Sequence, residues 1–332
     1  MEPPAHEPST AIGDLGESAV LARILPRLAP GDAAHLGAGD DAAVVAAPDG
    51  RFVVTTDLMV HGPDFRLAWS TPFDLGWKAA ATNLTDVAAM GARPTALVVA
   101  IAAPPSLDVG VLEGIADGLR EGLAALAPGA GVVGGDLSAS SVLMISVTAF
   151  GDLEGRAPVL RSGARPSDVM AHAGGRGDAA RGLALLFARA RDERGEPDAA
   201  AAAALRTEHP RLVAAQLAPT PPVSAGVVAA EAGATAMLDV SDGLARDAQR
   251  IAEASGIGID FRSAALGPDP LTALAGAEDH GLLAAFPPDV PPPHPFEVIG
   301  VATAEAGVLT LDGAPVDTAG WDPYAGWDGV GG

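Results

Sequence analysis

The residues of this chain most able to do chemistry are aspartates that close apolar runs. They stand in Gly39-Asp40-Asp41, Thr55-Thr56-Asp57, Asn83-Leu84-Thr85-Asp86, Gly134-Gly135-Asp136 and Asp239-Val240-Ser241-Asp242. Taken singly, each reads as a turn former or a helix cap. As a set at the ends of buried segments, each beside glycine or a hydroxyl residue, they read as a shared hard-cation site. Carboxylates folded toward one another repel unless Mg²⁺ or a similar ion neutralises them, so the pattern points to phosphate chemistry through metal. Asp40 and Asp41 would face opposite sides of an extended chain, so one of the two is expected to ligate. Asp239 and Ser241 share a face, with Asp242 at the turn.

Elements that could position these groups are legible from periodicity. A helix is expected over 11–28, strands over 42–45 and 51–57, and then a well-marked helix. Thr71 is its N-cap, Pro72 its first residue and Asp74 its third, with Phe73, Trp77, Ala80, Leu84, Val87 and Ala88 at helical spacing and Gly91 as its stop. Strands over 96–103, 132–133 and 142–150 alternate with a helix carrying Val109, Leu112, Ile115, Leu119, Leu123 and Leu126 on one stripe. Residues 151–167 form a Gly-, Arg- and Pro-rich boundary, beyond which strands are expected at 168–173, 235–240, 257–261, 296–302 and 307–311. A helix spans 244–255, 189–204 is an exposed helical hairpin or a mobile insertion, and the proline-rich 287–295 is a loop. This alternation predicts sheets covered by helices, an α+β (mixed α/β) chain of two domains, 1–150 and 151–332.

Composition narrows the function. The 332 residues carry a formal net charge of −22, which argues against nucleic acid and anionic membrane surfaces, both of which need Lys/Arg neutralisation. Hydrophobic residues make up 48% of the chain at a mean hydropathy of +0.27, against global disorder. No uncharged apolar run approaches the ~18–20 residues of a membrane span. The count of cysteines is 0, which removes thiolate metal sites and cysteine nucleophiles and fits a reducing cytoplasm. A soluble, cytoplasmic protein is expected. Gly37-Ala38-Gly39 lacks the strand–turn–helix context of a dinucleotide fingerprint. Gly174-Gly175-Arg176-Gly177 suits a plain strand–helix turn or a phosphate contact equally. His61, His172, His209, His280 and His294 have no zinc spacing and are expected on the surface or in loops.

These motifs, in this order and spacing, together with Arg161-Ser162-Gly163-Ala164, Asp239-Val240-Ser241-Asp242-Gly243-Leu244 and Gly320-Trp321-Asp322, resemble the thiamine-monophosphate kinase family of the PurM-like ATP-binding superfamily. The resemblance runs from about Gly13 to Tyr324. It implies a PurM-like two-domain fold whose N-terminal sheets pair across a homodimer. It also implies ATP-dependent phosphorylation of thiamine monophosphate, with Mg²⁺ held by Asp41, Thr56, Asp57, Asp86, Asp136, Asp239 and Asp242. Arg161, Ser241, Gly135 and Thr55 would serve ATP; Asp64, Glu278, Trp321 and Tyr324 would serve the substrate. No side chain is implied as general acid or base. The chain departs from the family at Asp64, where a histidine is usual, and at Gln216-Leu217-Ala218-Pro219, where the family has His-x-Arg-Pro. Those departures motivate a PurM-like kinase or synthetase acting on another small metabolite. A non-catalytic Mg²⁺–nucleotide module is the further alternative, which the intact ligand set opposes.

Overall fold

The computed structural model describes residues 10–15, 17–29, 31–36, 43–318 and 320. Asp40, Asp41, the Gly37-Ala38-Gly39 motif, Trp321 and Tyr324 lie outside the described residues. The chain enters through α1 (Ile12–Leu15), α2 (Glu17–Ile24), β1 (Ala34–Leu36) and β2 (Val44–Val45). The single helix expected over 11–28 is thus two, and a 3₁₀ turn, Leu25–Arg27, closes the second where Pro26 removes a backbone donor.

The next elements are β3 (Val53–Val60), α3 (Pro72–Ala89), β4 (Arg93–Ala103), α4 (Val109–Leu126), β5 (Gly131–Ala139) and β6 (Met144–Asp152). They build a four-stranded sheet in the order β3-β6-β4-β5, antiparallel except for the parallel β4/β5 pair. Period-2 alternation buries Leu97, Val99 and Ile101 of β4 and Ile145, Val147 and Ala149 of β6 in one core with residues of α3 and α4. Helix α3 starts as expected. The Thr71 hydroxyl accepts from the Asp74 N–H at 3.2 Å, and the Asp74 carboxylate accepts from the Thr71 N–H at 2.8 Å. Gly91, at φ +73°, supplies the stop.

Backbone meets backbone where α3 crosses α4. A Cβ at Gly118 would lie 2.0 Å from the Phe73 carbonyl oxygen, and one at Gly76 would lie 2.0 Å from that of Ile115. Glycine at both positions lets the two helices touch along their axes, and this contact fixes α3 over the sheet.

The rest of the chain forms β7 (Val169–Ala173), α5 (Asp178–Arg189), α6 (Ala199–Glu208), α7 (Pro210–Leu217), α8 (Ser224–Glu231), β8 (Ala236–Val240), α9 (Leu244–Ser255), β9 (Gly258–Phe261), α10 (Pro270–Ala275), β10 (Gly281–Phe286), β11 (Glu297–Thr303), β12 (Leu309–Leu311) and β13 (Ala314–Pro315). Its seven-stranded sheet runs β13-β12-β9-β11-β7-β10-β8. The sequence reading has no strand at β10, although every residue of it is buried between β7 and β8. Gly-Leu-Leu-Ala-Ala-Phe carries no alternation and no β-branched residue, so neither of the usual strand signals is present. His172, in β7, and His280, beside β10, are buried rather than on the surface or in a solvated loop. Burial pushes His172 down to about 3, with Arg176 adding to the effect, and His280 down to about 4. The 189–204 stretch is ordered. The Asp198 carboxylate caps α6, and Ala202 and Leu205 pack into a cluster with Trp69, Leu186 and Val213.

One apolar core runs from α3 and α4 through α8 to the near face of the seven-stranded sheet, taking in Ala171, Met237, Leu282 and Phe286. The far face packs on α9 and α10 in a second core with Ile251, Ile259, Phe261 and Leu274. Gly118→Ala is expected to lower unfolding stability by about 1–3 kcal/mol, the usual cost of overpacking. Urea denaturation with an unchanged m-value checks it, and wild-type stability would show that the helix pair has room to spread.

Candidate active site

In β3, alternation turns Thr55 and Asp57 toward α3 and Thr56 to the opposite, exposed face. The Thr55 hydroxyl donates to Asp86 Oδ2 at 2.8 Å, near the C-terminal end of α3. The Thr56 hydroxyl donates instead to the Val147 carbonyl at 3.0 Å and accepts from Thr148 Oγ1 at 3.1 Å. Of the two threonines, the structure brings Thr55 to the acids, because only alternate residues share a face with Asp57.

Asp239, near the end of β8, meets Asp86 side chain to side chain. Burial, followed by the Asp86 and Asp247 carboxylates, pushes Asp239 well above the usual carboxylate range, with Arg161 opposing. Burial also raises Asp86, against the Thr55 hydroxyl and Arg161. Asp57 is pushed up to about 6 by burial and by Asp86, Glu278 and Asp242. Asp242 is held by Arg250 at 2.5 Å, and Arg250 also reaches Asp247 at 2.5 Å. Asp247 is fully buried, and its carboxylate accepts the N–H groups of Ser241 at 3.0 Å and Asp242 at 2.9 Å. It therefore shapes the turn after β8. Sequence reasoning passed over it, although its position on the apolar stripe of α9 with Leu244 and Ile251 is the signal that could have found it.

Asp57, Asp86, Asp239 and Asp242 thus come together from both sheets, with Arg161 close enough to act on two of them. Asp136 does not join them on the inner face. It is exposed within β5 rather than at a strand end, three strand spacings from β3, roughly 14 Å. Gly135 precedes it on the same strand. Among the described residues, no three acids stand at ready-made metal-binding geometry. The electrostatics explain that spacing. Raising Asp57 from 3.8 to about 6 means that its charge is disfavoured by about 3 kcal/mol. Burial and like charge disfavour the ionised carboxylate here, and a divalent cation would favour it.

Beside this cluster lies a cavity of about 200 Å³, whose lining includes Asp64, Trp69, Lys78, Phe187, Gln216 and Glu278. Trp69 and Phe187 meet edge to face at 5.0 Å, with the Arg66 guanidinium 4.9 Å from each ring centroid. Asp64 accepts the Val60 N–H at 2.7 Å, and burial raises it above the usual carboxylate range. Lys78 of α3 is buried; it forms an ion pair with Glu278 and donates to the Gln216 carbonyl at 3.1 Å. Burial alone would raise Glu278, but the Lys78 ammonium, and then His280, hold it below its ordinary value. Glu278 has a left-handed backbone, φ +71°, and its N–H donates to the Ser241 carbonyl at 2.8 Å. The cavity wall and the acidic turn are thus one hydrogen-bonded unit. Lys78 was not singled out from sequence as a site residue. Its signal is that no other charge stands between Leu75 and Thr85 on a helix buried on most sides.

Residues 39–153 match the family described as AIR synthase related protein, N-terminal domain. The thiamine-monophosphate kinase of Mycobacterium tuberculosis is 43% identical over 97% of this chain and 94% of its own length. That of Corynebacterium glutamicum is 39% identical over 94% of this chain and 95% of its own length. Among solved structures, AaThiL complexed with AMPPCP and TMP superposes with a TM-score of 0.69 at 28% identity, covering 95% of this chain and 99% of that one. The 43% identity with the mycobacterial enzyme extends over nearly the whole chain, and on that evidence the chain belongs to the thiamine-monophosphate kinase family.

Proposed function

We propose that this protein transfers the γ-phosphoryl group of ATP to thiamine monophosphate, giving thiamine diphosphate and ADP. The observation that carries this reading is the Glu278–Ser241 hydrogen bond, which joins an aromatic, carboxylate-tipped cavity to an acid-rich turn suited to metal and phosphates. Relatives named for this reaction support it, as does the superposed structure with AMPPCP and TMP.

The donor set of the cluster is all hard oxygen, and this fits Mg²⁺. Asp57, Asp86, Asp239 and Asp242 would hold it, with Thr55 orienting Asp86. When bound, Mg²⁺ supplies the positive charge that the nucleotide phosphates and the moving phosphoryl group require. Arg161 adds a cation at the same edge, and Ser241 and Gly135 are assigned to the nucleotide. The acceptor is already a phosphate anion, so no general base is needed, and catalysis rests on in-line positioning. Asp64 and Glu278 are assigned to the thiamine end. The assignments of Asp41 to metal and of Trp321 and Tyr324 to substrate concern positions outside the described residues.

A homodimer paired through the four-stranded sheet is supported by the outer face of β3. Phe52, Val54 and Leu58 are more than half exposed there, an apolar stripe on an edge strand. Thr56 and Asp136 belong to that outer face, so the pairing would place both at the interface. The division at 1–150 and 151–332 is supported by β6 ending at Asp152 in one sheet and β7 beginning at Val169 in the other. None of the helices among the described residues is long and apolar enough to cross a membrane. The need for ATP favours a cytoplasmic location.

With Mg-ATP and thiamine monophosphate, ADP release is expected to depend on the acceptor and to be absent with thiamine alone. Acceptor-independent ADP release would sink the kinase reading. Asp57→Asn should reduce kcat on the order of a hundred-fold or more with the fold intact by circular dichroism, as loss of a pre-organised electrostatic contact does. Full activity would remove Asp57 from the site. Leu58→Asp should convert the protein to monomer by light scattering, and an unchanged mass would overturn pairing through this face.

A further inference from the structure

Gln216 ends α7 in the wall of the cavity and is 5% exposed, yet its side-chain Oε1 has no hydrogen-bond partner. A buried polar atom left unpaired costs stability, whereas an apolar group of the same shape would not. The residue is nonetheless held firmly, because its backbone carbonyl accepts from Lys78 at 3.1 Å and the same ammonium pairs with Glu278. A Cβ at Gly182 of α5 would come 3.3 Å from the Gln216 Cβ, so the neighbouring helix also confines the side chain. One cation therefore holds the Gln216 backbone and the Glu278 carboxylate, and both residues line the same cavity as Trp69 and Phe187.

We propose that Gln216 is a specificity-determining residue of the acceptor site, and that its amide pairs with a hydrogen-bonding group on the flat heteroaromatic end of the acceptor. Lys78 is the positioning residue that keeps the amide and Glu278 in register. The inference rests on thiamine monophosphate being the acceptor; the chemistry that fits is the amino-substituted edge of its pyrimidine, an N–H donor facing Oε1. A site that pairs a substrate N–H rejects an analogue lacking it more strongly than a purely apolar pocket could, because the buried oxygen is then left alone again.

The test compares wild type with Gln216→Met and Gln216→Leu, which keep volume and remove both polar atoms. Steady-state kinetics are measured separately for thiamine monophosphate and ATP, alongside thermal unfolding without ligands. The expected result is a KM for thiamine monophosphate raised at least about ten-fold, with kcat and the KM for ATP within about two-fold of wild type. The ligand-free Tm should be unchanged or higher, because an orphaned oxygen has been removed. Oxythiamine monophosphate, which carries an oxygen in place of the amine, should be discriminated by wild type and not by the variants. An unchanged KM for thiamine monophosphate, an equal rise in the KM for ATP, or loss of folding in both variants would overturn the role given to Gln216. Failure of wild type to turn over thiamine monophosphate would instead overturn the acceptor reading, and this inference with it.

Discussion

The site depends on one constraint, the burial of carboxylates close to one another. Asp57, Asp86 and Asp239 come from β3, α3 and β8, and each is driven above its ordinary range by burial, with neighbouring carboxylates adding to the effect at Asp57 and Asp239. Nothing in that arrangement favours the folded state by itself. It persists because the surrounding contacts over-determine it: a close-packed helix pair under Asp86, a fully buried strand under Asp239, and Asp247 and Arg250 around the turn of Asp242. The fold supplies the stability, and the site draws on it. This is the relation expected where binding groups are held in a state that only a ligand completes.

The acids also explain the division of labour between the two sheets. A cluster built wholly within one sheet would place like charges in a single rigid lattice. Splitting them between β3 and α3 on one side and β8 with its turn on the other divides the like charges between two packed units. Arg161, in the stretch that joins the two sheets, carries a positive charge beside the cluster. The acceptor cavity opens from the same region, bounded by α3, the end of α7 and the loop before β10.

Much of this was legible in the sequence, for identifiable reasons. Local chemistry announced α3, because Thr71, Pro72, Asp74 and Gly91 each act within a turn of their own position. The aspartates were legible because each sits beside small or hydroxyl residues at the end of an apolar run. Which of Thr55 and Thr56 faces the acids was not, since register depends on which face of β3 lies under α3, a tertiary fact. Strand β10 was hidden because a centrally buried strand needs no alternation. Lys78 and Gln216 were passed over as site residues for a related reason: their partners lie 200 and 138 residues away in sequence. No short window contains both ends of either contact.

Helix α3 carries both Lys78, which addresses the acceptor wall, and Asp86, which addresses the acidic cluster. The two are eight residues apart, about 12 Å of helix rise. The glycine-mediated contact packs that helix closely against α4. On the proposed function it would act as a ruler, with one mark at the ring end of the acceptor and the other at its phosphate end. Molecules with the right groups but the wrong spacing between them would meet only one mark, so length itself becomes a criterion of selection.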